Sequence, residues 1–525
     1  MPTKPPTIGV ELCGTRAHAV LLAPRADALP GDPVDHTSGD SGGRTDPGGR
    51  SDPGGRSDTG PAVEAEVSIA AEVTACGEDP TAALDAALAA LVRADRRAAT
   101  AAQVCVATDA FERALETGIG LARVGCVRLG AGEEPGVPPF FGWPESLAAV
   151  AAHHRCLRGG CTYDATPLGE PQPAVIAATA EGLRAAGVEA VAVTAAFSPV
   201  DDRWETRLAS RLAALLPGMD FSVSAPLGSV GVLPRENAAA LNAALLPPAR
   251  RLTTAAESVV RAHIPGARTF LTRCDATLME LPFARRFPVL ALGSVAAARC
   301  RGAARLAGLA TCVVADRETG RTAVVRDGRP VLSGRGQDIL GVETSLAGVE
   351  WVLDPQAGQV PGTPRSLDPG PVRVTLVSAA EGRDHLAGAD RVGADRAAAE
   401  RAAAERAAVD RVGADRAAAE RAAADRSAVE RMAADRVVRA PRAGAVGAVG
   451  SRIAGYVDCI VPASGPGHDQ ALARARARAE QNAVMAGAAV PSVRIVGIDE
   501  SPVAYVPGDL VRLRVTAAGE LVPGG

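Results

Sequence analysis

The stretch IGVELCGTRAHAVLL, Ile8 to Leu22, holds the residues whose types and spacing could do chemistry. It reads as a strand, a two-residue turn at Gly14 and Thr15, and a second strand. A Gly-Thr hairpin of this kind can present backbone N–H groups to a phosphate, because glycine brings no Cβ and accepts a positive φ. Glu11 leads in. Cys13 stands just before the glycine, and His18 sits where a second acid would be expected. Two readings of Cys13 stay open: a thiol activated by nearby N–H groups, or a small residue filling space.

A second hairpin is predicted at ATCVVADRETGRTAVVRDGRPV, where Asp316 closes one strand and Thr322 lies in the next. His153 and His154 in AAHHRC have no acid or thiol at metal spacing beside them. The ten cysteines are scattered without a C-x-x-C pair, which fits free thiols in a reducing cytosol.

These residues need elements to position them. VEAEVSIAAEV alternates as a strand, and DPTAALDAALAALVRAD follows as a helix with Asp79 as its N-cap. QVCVATDAFERALE reads as strand, turn and helix, and LARVGCVRLG as a strand. From Pro173 the pattern is helix, strand, helix, the second helix stopped by Gly218. PRENAAALNAALLPPARRLTTAAESVVRAHIPG is one long helix, RTFLTRC a strand, and SVAAARCRGAARLAG a helix of small residues. ALARARARAEQNAVMAGA is helical, and PSVRIVGIDESPVAYVP and DLVRLRVTAAGEL are strands of the tail. Strands alternating with helices predict an α/β architecture.

Two segments stand apart. GGRTDPGGRSDPGGRSDTG carries no apolar side chain, so a disordered insertion is expected over 30–62. From Arg391 to Arg436 arginine recurs every fifth residue behind Asp or Glu, among alanines. Alanine favours helix, but a step of five advances about 140° and leaves no fixed apolar face. The expectation is an exposed helix or linker.

The chain has 525 residues, room for two or three domains, with a formal net charge of −4. That balance gives no basic surplus for nucleic acid. Hydrophobic residues make up 47% and aromatics only 3%, so the core must be Ala, Val and Leu. Lys4 is the only lysine, so arginine carries the basic chemistry. No apolar run reaches the roughly 18 residues of a membrane span, and MPTKPP does not read as a signal peptide.

Taken in chain order, these segments resemble the hydantoinase/oxoprolinase family in its shorter, hydantoinase A-like form. The opening resembles I-G-I-D-x-G-G-T-x-T-D-A-V-L, and VATDAFERA resembles G-T-T-H-F-T-N-A. GGCTYD follows a Pro-rich loop as in G-G-x-x-Y-D. GVLPRENAAALNAAL resembles R-E-N-A-x-x-L-N-A, LTRCDATLM resembles N-D-G-T-L-M, and SVAAARCRGAARLAGL resembles S-G-P-x-x-S-x-R-G-A-A-x-L. VVADRETGRTAVV resembles V-V-D-I-G-G-T-T-x-D-V, AGAVGAVGSRIAGYVD resembles A-N-A-I-G-A-A-I-A-x-V-S-G-E-V-D, and SPVAYVPGDLVRLRV resembles P-L-A-Y-L-P-G-N-x-x-R-x-x-V.

The resemblance implies an α/β fold of the actin-like or sugar-kinase-like ATPase type, two RNase H-like halves closing on MgATP. It implies that Gly14, Thr15, Ser294, Asp316, Thr322 and Gly447 face the ATP phosphates, and that Glu11 and Asp316 serve Mg²⁺. It divides the chain into an N-terminal domain (1–172), a core domain (173–382) shortened after 345, the repeat helix or linker (383–440), and a C-terminal part (441–525). The implied function is ATP-dependent hydrolysis of a cyclic amide of hydantoin or 5-oxoproline type, in the cytoplasm. Against the family pattern, Cys13 replaces a glycine, His18 an aspartate and Gly444 an asparagine. Asp109, Ala110 and Arg113 replace Thr, His and Asn, and Glu318 and Thr319 fall on two glycines. An anionic Glu318 facing phosphate at about 4 Å would cost roughly 4 kcal/mol at an effective dielectric of 20. The alternative is therefore a non-catalytic subunit that partners an active hydantoinase component, or a homo-oligomer, with no nucleic acid or membrane partner.

Overall fold

The computed structural model describes residues 5–24, 67–130, 132, 136–228, 231–353, 372–377, 436–449, 452–503 and 509–521. The insertion expected at 30–62, the body of the arginine repeat and the tail residues 504–508 lie outside the described residues.

In chain order the first strands are β1 (Thr7–Cys13), β2 (Arg16–Pro24), β3 (Val67–Cys76), β4 (Gln103–Thr108), β5 (Val124–Gly130), β6 (Ala151–Arg158), β7 (Gly160–Cys161) and β8 (Pro167–Gly169). Next come β9 (Ala190–Ala195), β10 (Asp220–Val223), β11 (Arg268–Thr272), β12 (Leu278–Glu280), β13 (Cys312–Asp316), β14 (Arg321–Arg326) and β15 (Arg329–Pro330). The remainder are β16 (Asp338–Ile339), β17 (Val342–Glu343), β18 (Val352–Leu353), β19 (Arg373–Val377), β20 (Arg436–Arg439), β21 (Ile453–Pro462), β22 (Arg494–Pro502) and β23 (Leu510–Gly519). The helices are α1 (Pro80–Ala94), α2 (Ala110–Thr117), α3 (Pro173–Ala185), α4 (Arg203–Leu215), α5 (Val232–His263), α6 (Leu281–Arg286), α7 (Ser294–Ala307), α8 (Ala440–Ala448) and α9 (Gly465–Met485).

Three main sheets result. A nine-stranded sheet runs β22-β23-β21-β12-β11-β4-β1-β2-β3, a second runs β15-β14-β13-β19-β20 with β18 on β14, and a parallel one runs β10-β9-β5-β6. The first two sheets share a pattern. In each, a strand turns back into an antiparallel hairpin (β1–β2, β13–β14), and its other edge takes a parallel partner (β4, β19). The central parallel strand β9 (AVAVTA) is buried at every residue and apolar but for Thr194, because both its faces are covered.

The expected caps are present. Asp79 accepts the Ala82 N–H at 2.8 Å, and Gly218, two residues past the C-cap of α4, takes a left-handed φ of +82°. The small-residue composition is used for close approach. Where α7 meets α8, a Cβ on Gly302 would stand 1.8 Å from the Ala443 carbonyl oxygen, and one on Gly447 would stand 1.8 Å from that of Ala298.

The sheets cut across the expected boundaries. The break at 172/173 falls inside the four-stranded sheet, which takes β5 and β6 from one side and β9 and β10 from the other. The nine-stranded sheet draws strands from three of the four expected segments. The repeat helix, drawn to 440, overruns a strand: β20 pairs in parallel with β19, its valines Val437 and Val438 opposite Thr375 and Leu376. β-branched residues suit that position better than the alanine pattern upstream.

Candidate functional site: a cleft filled by its own side chains

β1 ends at Cys13 and β2 starts at Arg16, so the turn is Gly14-Thr15 as the sequence predicts. Gly14 has φ +55°, and Thr15 is exposed at the tip. The Gly14 N–H, the donor a phosphate would meet, is taken. It donates to Asp109 Oδ1 at 2.8 Å. Asp109 sits where β4 gives way to α2, and its own N–H donates to the Leu12 carbonyl at 3.3 Å. A carboxylate on a turn N–H is a charge-assisted bond, the same kind of contact a phosphate oxygen would make. The Arg113 guanidinium lies alongside, 3.4 Å from where a Gly14 Cβ would be.

Glu11 is buried on β1 and clamped by Arg299 from α7. Arg299 Nε donates to Oε2 at 3.0 Å and Nη2 donates to Oε1 at 2.8 Å. Gly444 on α8 makes room for this carboxylate: a Cβ there would lie 1.6 Å from Glu11 Oε2. Cys13 Sγ rests 3.7 Å from Glu11 Oε1. Burial pushes the Cys13 thiol far above its ordinary range, and Glu11 and Asp109 push it further, so it is a neutral space-filler and not an activated nucleophile. Burial works against the charge on Arg299, and Glu11, with help from Asp316, outweighs it and holds the guanidinium charged.

Asp316 ends β13, and its Oδ1 accepts the Glu318 N–H at 3.0 Å, closing its own turn. The Thr322 hydroxyl faces the Val352 carbonyl at 3.5 Å, too long for a strong bond. Ser294 is fully buried. Its hydroxyl donates to the Thr108 carbonyl at 2.9 Å and accepts the Thr108 N–H at 3.2 Å, pinning the start of α7 to the end of β4. Gly447 serves the α7–α8 crossing.

Next to Ser294, Gly293 (φ +81°) donates its N–H to Glu112 Oε1 at 2.6 Å. The other oxygen, Oε2, is buried and has no hydrogen-bond partner among the described residues. Burial pushes the Glu112 carboxyl up to about 7; the Gly293 N–H opposes this, and Asp109 and Glu116 add to it.

These side chains do not fit a magnesium nucleotide. The Gly14 N–H already holds an anion, and both Glu11 oxygens hold a guanidinium. Among the described residues no group of three or more His, Cys, Asp or Glu is placed to hold a metal ion, His153 and His154 included.

Sequence reasoning singled out Asp109 as a substitution but not its partner, and passed over Arg299. The one signal was an arginine among alanines in SVAAARCRGAARLAG. The R-E-N-A motif proves to be framework. Arg235, fully buried on α5, donates to the Ala195 carbonyl at 2.6 Å and Ser224 Oγ at 3.0 Å. Glu236 pairs with Arg128 of β5. Asn237 accepts the Trp143 Nε1–H at 2.9 Å, and Asn242 Nδ2 donates to Ser222 Oγ at 3.1 Å.

The fold is a mixed α/β one that occurs in ATP-dependent enzymes. No family model matches the chain, and no curated protein matches it. Solved structures do match it, two of them as follows. The nucleotide-free structure of an ATP-dependent acetone carboxylase aligns with TM-score 0.56 at 12% identity, over 99% of this chain and 88% of that one. An ATP-dependent caprolactamase from Pseudomonas jessenii aligns with TM-score 0.62 at 13% identity, again over 99% of this chain and 88% of that one. At these identities the likeness is one of fold.

Proposed function

We propose that this chain is a divergent hydantoinase/oxoprolinase-type protein of actin-like ATPase architecture that works as a non-catalytic subunit beside an active component. One observation carries the reading: the Gly14 N–H is bonded to Asp109, in the same cleft where Arg299 holds Glu11. An internal anion stands in for phosphate and an internal cation stands in for the metal. A nucleotide would have to displace both, and leaving Glu11 buried without its cation is costly. The ten free cysteines suit a reducing, cytoplasmic setting.

The test is thermal unfolding with and without roughly millimolar MgATP, since a native-state ligand at 100 times its Kd adds about 2.7 kcal/mol. The expected result is no shift, with stable co-purification of a second subunit. An upward shift that disappears in Thr15→Ala, together with MgATP-dependent ring opening of hydantoin or 5-oxoproline, would overturn it. The second reading, a weakened ATP-dependent cyclic-amide hydrolase, is favoured by one feature: the hairpin keeps its glycine at φ +55° and its threonine exposed at the tip.

A further inference from the structure

A cavity of about 630 Å³ lies well apart from the hairpin cleft in the chain's architecture, among α4, β10, the end of α6 and α9. None of Glu11, Cys13, Asp109, Arg299 or Asp316 lines it. Its size is within the range of small-molecule sites. Four arginines face it against one carboxylate, Asp202. Three of the four are already paired. Arg203 holds Asp201 at 2.9 and 2.8 Å, Arg207 reaches Glu170 at 3.4 Å, and Arg478 of α9 holds Asp202.

Arg286 is different. It ends α6, its guanidinium lies 5.1 Å from the centre of the Phe287 ring, and no carboxylate pairs with it among the described residues. Its carbonyl accepts Asn242 Nδ2 at 3.0 Å, which fixes the backbone that carries it. Phe221, Phe287 and Pro226 supply apolar wall. Ser222, buried in the same wall, accepts from Asn242 and keeps its own hydroxyl hydrogen to donate.

We propose that this cavity binds a small organic carboxylate with an apolar body. The Arg286 fork would take the carboxylate in a bidentate pair, Ser222 would donate a further bond, and the phenylalanine rings would cover the body. A neutral ligand of the same shape forfeits the charged pair. A bare inorganic anion forfeits the apolar contact.

The test titrates the full-length protein with benzoate, benzyl alcohol and sulfate by calorimetry. Benzoate is expected to bind at roughly millimolar Kd or tighter, with benzyl alcohol about tenfold weaker. Arg286→Gln should weaken benzoate by about tenfold and leave benzyl alcohol unchanged, while Arg286→Lys retains part of the affinity. Ser210→Trp, which fills the cavity from the exposed face of α4, should abolish both. Unchanged melting of the variants shows that they fold. The proposal fails if benzoate gives no binding, if Arg286→Gln binds it as the parent does, or if sulfate binds as tightly as benzoate.

Discussion

A carboxylate that stays charged inside a protein is stabilised by a cation, and Glu11 finds one 288 positions along the chain, in Arg299. Removing one partner should hurt more than removing both. Arg299→Met is expected to cost about 3–5 kcal/mol, because Glu11 stays buried and unpaired. Glu11→Met with Arg299→Met should fall within about 1 kcal/mol of the parent, as urea unfolding would show. Ala276 poses a different strain. It adopts φ +62° in the CDAT turn, where the family pattern has glycine. Ala276→Gly should stabilise by roughly 0.5–1 kcal/mol in the same assay. Glu112 sets a pH dependence. Its folded carboxyl titrates near 7 against an ordinary 4.5, so between those values the native state binds the extra proton. Its contribution is fully present below about 4.5 and is lost as pH rises through about 7. Stability should therefore fall over that window, by on the order of 3 kcal/mol at most, and Glu112→Gln should flatten the slope. Neither pairing, Glu11 with Arg299 or Glu112 with Gly293, was legible in the sequence. Residue types were visible, but pairing partners far apart in the chain leave no local periodicity.

Elements were far more legible. The hairpin at Gly14, the Asp79 cap, the long α5 and the small-residue helix α7 follow from turn chemistry and apolar spacing, which are local. The reason α7 must be small-sided was not readable, since it lies in α8, beyond the arginine repeat. At that crossing Gly302 and Gly447 let the backbones touch. Gly447→Ala should force the helices apart and cost about 1–3 kcal/mol or more, seen as a lower urea midpoint with an unchanged slope. The motifs the chain retains, R-E-N-A above all, are the ones whose polar atoms are spent on holding elements together. Of the positions that depart from the family pattern, Cys13, Asp109, Arg113 and Gly444 gather round Gly14 and Glu11, while His18 faces Thr74 and Glu72.

At the scale of the molecule, the order of strands in space is not their order in sequence. β12 stands between β11 and β21, and its parallel pairing of Leu278 with Ile453 joins the middle of the chain to its end. Sheets are completed wherever strands meet, so they join segments that stand far apart in the chain. A chain truncated at 440 should leave β12 as an open edge and β21–β23 absent, and it should be recovered as aggregate when assayed by sedimentation.

That interleaving has a meaning for synthesis. A ribosome releases β1, β4 and β11 long before it has made β21, so the nascent sheet waits, half built and with one flank bare, until that distant strand emerges. Pairings so remote in sequence close slowly, and the waiting interval is when neighbouring nascent chains can exchange edges. For this protein the hazard of misassembly is thus concentrated in the minutes of its birth, and a chaperone that shields a single flank would meet most of the need.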